Sequence, residues 1–302
     1  MKTTAFAALA ACLVAGCTTV SNSASRPSLA ITVDDLPVHG AIPRGDTNAG
    51  VAREVIAALT AQKVDAYGFI NGYWTEKDPA TAEVLTLWRA AGLPLANHGW
   101  AHRHLAEMSA AEFEEELLKN EPLLRAGSED WHWFRYPFLD EGEDAEKRTT
   151  SREVLARHGY KVASVTMDFS DWAWTAPYAR CRDAGDEAAV RRLEEMYLKA
   201  AHDSIDYSRR LSQAVYGREI PYVLLLHISA FEGRMLPRLL KLYRDKGFRF
   251  VSLAEAEADP AYADQVQPQL PAALQGLERK ASQKIELPPH TDYQPALDAM
   301  CR

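Results

Sequence analysis

Basic residues are in the minority in this 302-residue chain, where 34 Lys+Arg stand against 42 Asp+Glu and leave a formal net charge of −8. A surface of that sign repels phosphate backbones, so nucleic acid is not an expected partner. Long apolar runs are missing too. The run Ala5–Gly16 falls short of the roughly 20 residues that cross a bilayer. No short internal repeat is present. The hydrophobic and charged fractions, 47% and 25%, are those of an ordinary globular protein, which argues against both disorder and a membrane bundle.

What the N-terminus does contain is one basic residue, Lys2, followed by an apolar run of the right length for a signal-peptide core. Its end, Val14-Ala15-Gly16-Cys17, resembles the bacterial lipoprotein box. That resemblance implies a signal peptide over 1–16, a lipid on Cys17, a polar tether over 17–28, and membrane attachment through the N-terminal lipid. The expected location is the bacterial cell envelope. Thr18 in place of Asp after the cysteine implies the periplasmic face of the outer membrane if the host is Gram-negative. An ordinary signal peptide cut nearby, or a buried helix, is the alternative. Of the four cysteines, Cys12 leaves with the signal and Cys17 is modified. Cys181 and Cys301 remain, either as one disulfide or as two free thiols, since sequence does not fix their separation.

From Leu29 onward short apolar runs alternate with segments of helical period. Strands are predicted at Leu29–Val33, Asp65–Ile70, Pro94–Asn97, Trp131–Phe134, Tyr160–Thr166, Tyr222–Leu226 and Phe248–Leu253. Helices are predicted over Asn48–Gln62, Pro79–Ala91, Ser109–Leu124 with a kink at Pro122, Glu187–Tyr216 and Leu236–Lys246. This order predicts an α/β protein with a parallel sheet, and about seven strand-helix units predict a distorted barrel. The domain reading is a catalytic domain over 29–255 and a C-terminal extension over 256–302. The Pro-, Ala- and Gln-rich extension is either a covering segment or a loose tail.

In such a barrel the chemistry gathers at the C-terminal ends of the strands. Asp34 and Asp35 follow the first strand, His98 and His102 the third, Arg135 the fourth, Asp168 and Asp171 the fifth, and His227 the next. Each alone is an ordinary turn carboxylate, surface histidine or surface cation. All of them at the same end of successive strands form a candidate site. Adjacent Asp34 and Asp35 repel when both ionise beside an apolar strand, so a cation, a shared proton or open water must relieve them.

The set resembles the polysaccharide deacetylases with a NodB-homology domain, carbohydrate esterase family four. "TVDD" at Thr32–Asp35, "HGWAH" at His98–His102, "RYPF" at Arg135–Phe138, "DFSDW" at Asp168–Trp172 and Leu225-Leu226-His227 are similar to that family's five motifs, in order. The resemblance implies a barrel of seven or so strand-helix units and one divalent metal held by Asp35, His98 and His102. Zinc is the first choice, with cobalt or another divalent ion as alternatives. Two histidines four apart are read as sharing one face of a helical turn. Asp34 is then the general base and His227 the general acid, oriented by Arg135 and Asp171, and the Phe138 N–H faces the oxyanion. Val33, Leu36, Gly99 and Ala101 depart from the motifs. The last two remove hydroxyl groups that would steady the ligand loop.

Trp100, Trp172, Trp174, Trp74 and Tyr73 lie on or beside the motifs, where an indole serves either as wall or as a platform for a sugar face. Trp100 and Trp172 are carried with Phe138 as the substrate-side set, Trp172 as wall. The expected activity is metal-dependent removal of N-acetyl groups from an acetylated amino-sugar glycan, peptidoglycan- or chitin-like. O-acetyl ester cleavage on a polysaccharide such as xylan, and a non-catalytic glycan-binding lipoprotein, are the competing readings.

Overall fold

Ser28–Leu36 forms the central strand β1, buried along nearly its whole length. A strand covered on both faces is what a near-continuous apolar run encodes in a parallel sheet. A computed structural model describes residues 26–127, 130–142, 144–271 and 276–302 of the chain. The expected signal peptide, Cys17 and residues 17–25 of the tether lie outside the described residues. No described helix is long and apolar enough to cross a membrane.

The other strands are β2 (Tyr67–Ile70), β3 (Leu95–Asn97), β4 (Trp133–Phe134), β5 (Lys161–Val162), β6 (Tyr222–His227) and β7 (Arg249–Val251). The helices are α1 (Asn48–Ala61), α2 (Tyr73–Lys77), α3 (Ala82–Ala90), α4 (Ala110–Leu124), α5 (Ala145–Arg157), α6 (Thr175–Ala184), α7 (Glu187–Tyr216) and α8 (Ala230–Asp245). Four short ones follow: α9 (Leu253–Glu257), α10 (Ala263–Val266), α11 (Leu277–Ser282) and α12 (Gln294–Ala299).

All strand pairs are parallel, in the order β5-β4-β3-β2-β1-β6, with β7 beside the start of β1. A bridge between Met167 and Leu224 brings the two ends of the sheet together. The result is the expected distorted barrel with helices outside. Its core joins Leu29, Ile31 and Val33 to Leu224, Leu226 and the helices. A second cluster, including Phe113, Phe134, Leu155 and Tyr160, fastens α4 and α5 to β4 and β5.

Several boundaries differ from the sequence reading. The strand expected over Tyr160–Thr166 keeps its ladder only at Lys161–Val162. Beyond it Arg135 takes the Ala163 carbonyl (2.8 Å) and Glu257 takes the Ser164 N–H (2.6 Å), so side chains replace strand partners. Helix α8 begins at Ala230, earlier than Leu236, because Ser229 caps it by accepting from the Glu232 N–H, and Pro237 is accommodated inside. Helix α5 was not anticipated: most of Ala145–Arg157 is polar, with only Val154 and Leu155 as large apolar anchors.

The C-terminal extension is a covering segment, not a loose tail. Leu277 and Ala281 pack on Leu211 of α7, and Leu297 is fully buried in the main core. Arg180 donates to the carbonyls of Leu297 and Met300, and Cys181 is disulfide-bonded to Cys301 with Cα atoms 5.1 Å apart.

Candidate active site

Side chains alternate across a strand, so two adjacent aspartates on β1 should face opposite ways. The pairing of β1 with β2 shifts register between Val33 and Leu36, and Asp35 adopts φ 64°. A bulge of this kind re-aims a side chain, and aspartate tolerates the left-handed region better than most residues. The strand therefore runs through the pair instead of ending before it. Both carboxylates then face the same histidine: His98 Nε2 lies 3.6 Å from Asp34 Oδ2 and 3.4 Å from Asp35 Oδ1.

His98 follows β3 directly. Its Nδ1 lies 2.8 Å from the Arg135 carbonyl, a contact that assigns the proton to Nδ1 and leaves the Nε2 lone pair free. His102 reaches the same point by a different route from the one expected. No helical turn joins the two; an irregular loop does, with positive φ at Gly99 (74°) and His102 (52°). His102 Nε2 ends 3.3 Å from Asp35 Oδ1.

Asp35, His98 and His102 form a group whose ligand atoms lie within 4.8 Å of one another. Asp35 Oδ1 is buried and has no hydrogen-bond partner among the described residues, an arrangement that costs free energy unless something else satisfies the oxygen. A carboxylate oxygen and two imidazole nitrogens suit a divalent transition ion and leave coordination positions open. The residues present therefore fit such a metal. Burial opposes ionisation of Asp35, but His39 against Oδ2 and the neighbouring imidazoles of His98 and His227 hold its carboxyl well below the usual carboxylate range. Burial, with His98 beside it, pushes the His102 imidazole down to about 4, so it is neutral and able to ligate at neutral pH.

Asp34, 2% exposed, lies against the equally buried Arg135, whose Nη1 is 3.2 Å from Oδ2. Arg135 is itself locked by Thr32 Oγ1 (3.2 Å) and the Ala163 carbonyl. Across the mouth, the β1–β6 register sets His227 beside Asp34. Asp171 grips His227 twice, at the ring Nδ1 (2.8 Å) and the backbone N–H (2.7 Å). Burial acts to lower the His227 pKa, but Asp171, with Asp35 and Asp34, raises it to about 10, so the ring is a cation at neutral pH.

Phe138 sits in the left-handed region (φ 57°, ψ 13°) on a turn where Leu139 and Asp140 donate to Tyr136 and Pro137. Among the described residues none accepts from the Phe138 N–H. Its ring stacks on His104, centroids 3.7 Å apart, and meets the edge of His102. Trp100 packs against Gly72, and Lys119 Nζ lies 4.3 Å from the Trp100 ring centroid, so this indole is wall. Trp172 is 46% exposed, more open than a wall residue, whereas Trp174 is buried. Asp168 stays at the rim, bonded to the Ser170 N–H.

Two supports were invisible in the sequence. His39 Nδ1 lies 2.6 Å from Asp35 Oδ2 and its ring faces His227, centroids 4.8 Å apart. In the sequence it was one residue of a Pro-containing turn. The hydroxyls missing at Gly99 and Ala101 are replaced by buried amides and one carboxylate. Asn71 donates to the His98 and Gly99 carbonyls, Asn120 to Asn97, Asn97 accepts from the Gly99 N–H, and Glu116 accepts from the Ala101 N–H.

A parallel α/β barrel with an Asp-His-His cluster at its mouth is the class of architecture defined so far. Residues 21–163 match the family model described as polysaccharide deacetylase. That stretch holds Asp34, Asp35, His98, His102, Arg135 and Phe138, while Asp171 and His227 lie beyond it. Among solved structures, the chain is similar to a carbohydrate esterase family four pseudoenzyme from Bacillus anthracis at 14% identity and TM-score 0.53, covering 77% of this chain and 66% of that one. It is similar to the family-four domain of a multidomain xylanase from the hindgut metagenome of Trinervitermes trinervoides at 16% identity and TM-score 0.53, covering 84% and 98%. A mutant of the peptidoglycan deacetylase PdaC from Bacillus subtilis matches at 17% identity and TM-score 0.51, covering 78% and 91%. At these identities the likeness is one of fold. Residues 21–163 are thus similar to the polysaccharide deacetylase family, and the barrel is the fold shared with these solved structures.

Proposed function

We propose that the chain is a metal-dependent deacetylase that removes N-acetyl groups from an amino-sugar polysaccharide or oligosaccharide, peptidoglycan- or chitin-like, anchored in the cell envelope by a lipid on Cys17. The observation that carries this reading is the orphaned Asp35 Oδ1 facing two imidazole Nε2 atoms, with a second carboxylate, Asp34, beside it and a cationic His227 opposite.

A divalent ion held by Asp35, His98 and His102 would supply Lewis acidity toward the acetyl carbonyl. Asp34 takes a proton from the attacking water; its pairing with Arg135 fixes the carboxylate's direction. Water adds to the amide carbon, and the Phe138 N–H, from which no group among the described residues accepts, donates to the developing oxyanion. His227, kept protonated by Asp171, gives its proton to the departing nitrogen as the carbon–nitrogen bond breaks. The products are acetate and a free amine on the sugar.

Acetate release measured side by side from chitooligosaccharide, peptidoglycan and acetylated xylan tests the reading. Release from the first two supports it. Release from xylan alone replaces it with an O-acetyl esterase, and glycan binding without release from any of the three replaces it with a binding protein.

A further inference from the structure

Next to the catalytic mouth lies a cavity of about 470 Å³ between the turn that follows Met167, helix α7 and the C-terminal extension. That is a size common for small-molecule sites. The turn carrying Asp168 and Trp172 also carries Asp171, the carboxylate that grips His227, so the cavity and the group that orients His227 share one short segment.

Its walls combine two chemistries. The indole of Trp172, 46% exposed, and the ring of Tyr207 offer flat apolar faces, which suit the C–H face of a sugar ring. Among the described residues four carboxylates, Asp168, Asp203, Glu278 and Asp292, line the same space with no lysine or arginine. Asp203 is paired with Lys199 Nζ (2.5 Å). Among the described residues the other three have no ion-pair partner; His290 is the only basic side chain in the wall. The Trp174 indole, 1% exposed, also lines the cavity, and its N–H finds no acceptor among the described residues. An unpaired buried donor has a cost that a ligand oxygen would remove. The extension is held here by the buried Leu297, by Arg180 and by the Cys181–Cys301 disulfide.

We propose that this cavity is a glycan subsite for a sugar that bears a free ammonium group. Uncompensated carboxylates favour a cation over a neutral acetamide, and an aromatic face with hydrogen-bonding oxygens around it favours a sugar over a bare amine. The sugar's identity rests on the deacetylase reading, because hydrolysis of an N-acetyl group leaves this ammonium. The enzyme then holds a residue that is already deacetylated while its neighbour lies at the mouth, and prefers partly deacetylated chains.

The test is calorimetric titration of the full chain with a glucosamine tetramer and, separately, an N-acetylglucosamine tetramer. It is repeated with the Glu278→Gln/Asp292→Asn double variant and with Trp172→Ala, each checked for an unchanged melting temperature. The expected result is saturable binding of the glucosamine tetramer that weakens about tenfold in the double variant and in Trp172→Ala, and weakens with added salt. Acetate release from a short, fully acetylated oligomer should not change in the double variant. No saturable binding, equal binding by folded variants and the parent, or no preference over the acetylated tetramer overturns the proposal. Binding with the expected pattern but no acetate release from any acetylated glycan leaves the subsite standing and removes the deacetylase reading instead.

Discussion

The side of the mouth built from β1, β3 and β4 and the side built from β6, the Asp171 turn and the C-terminal extension aim their side chains by different means. On the first side the backbone does the aiming. Positive φ at Asp35, Gly99, His102 and Phe138 turns each group toward one point, and buried asparagines hold the connecting loop. On the second side distant segments meet: Asp171 and His227 are 56 positions apart, and the disulfide closes a separation of 120. The contrast teaches that damage to Asp35, His98 or His102 on the first side should appear as lost metal, while Asp34 on the same strand should fail as a base. Damage to the second should appear as altered proton transfer or substrate handling with metal retained.

The largest expected effect comes from the two aspartates that share β1. Asp34→Asn should cut turnover by about 10²–10⁴-fold while metal content stays at the parent level, because it removes a base and not a ligand. Asp35→Asn should lose metal, with activity partly restored by excess ion. Metal stoichiometry by mass spectrometry alongside acetate release separates the two. If Asp34→Asn loses metal as readily as Asp35→Asn, the two carboxylates do not divide the work.

His39→Ala sharpens the same contrast, because His39 touches Asp35 on one face and lies against His227 on the other. A group that orients a ligand in this way is typically worth about 10–100-fold in metal affinity. Competition with a chelator should place the loss in that range. Unchanged metal affinity with slower turnover would assign His39 to the His227 side instead.

A pH profile probes the second side. The His227 pKa is raised from 6.5 to about 10, so between those values the folded chain binds more protons than the unfolded one. The stabilisation from the Asp171 pair is full below the lower value and is lost as pH rises toward the upper one. Donation by His227 fails only as pH passes the upper value. Asp171→Asn removes the chief influence raising that pKa, so the alkaline limb of the rate profile should move down by roughly 1–3 pH units with metal content unchanged. An unmoved limb would show that His227 is not the group titrating there.

Much of this was legible in the sequence because strand ends are marked by composition. Ile31–Val33, Leu95–Ala96 and Leu224–Leu226 are apolar runs that stop at polar residues, and a parallel barrel places those stops together. What could not be read was the local geometry. Alternation along a strand gives no sign of the bulge that re-aims Asp35, and a spacing of four suggested a helix where His98 and His102 sit on a loop bent at Gly99. Asn71, Asn97 and Asn120 carry no periodic or motif signal, since their role depends on three separate segments meeting. Trp172 and Trp174 are two residues apart and chemically alike, yet one is 46% exposed and the other 1%. Only the turn between Asp171 and Trp174 separates their fates.

The smallest expected effect on turnover comes from cutting the tail's tether with Cys301→Ser. A closed loop of this length stabilises a folded chain by about 4–5 kcal/mol at most in the chain-entropy model, and the separation here is 120 residues. The melting temperature should therefore fall while metal content stays at the parent level, because no ligand or base lies on the extension. Hydrolysis of a short acetylated oligomer should stay near the parent rate below the new melting point. Leu297 in the core and the bonds from Arg180 still seat the last helix, so the extension should loosen without leaving its place. If metal is lost from Cys301→Ser below its melting point, the two sides of the mouth are coupled through the barrel, and the separation drawn between them fails.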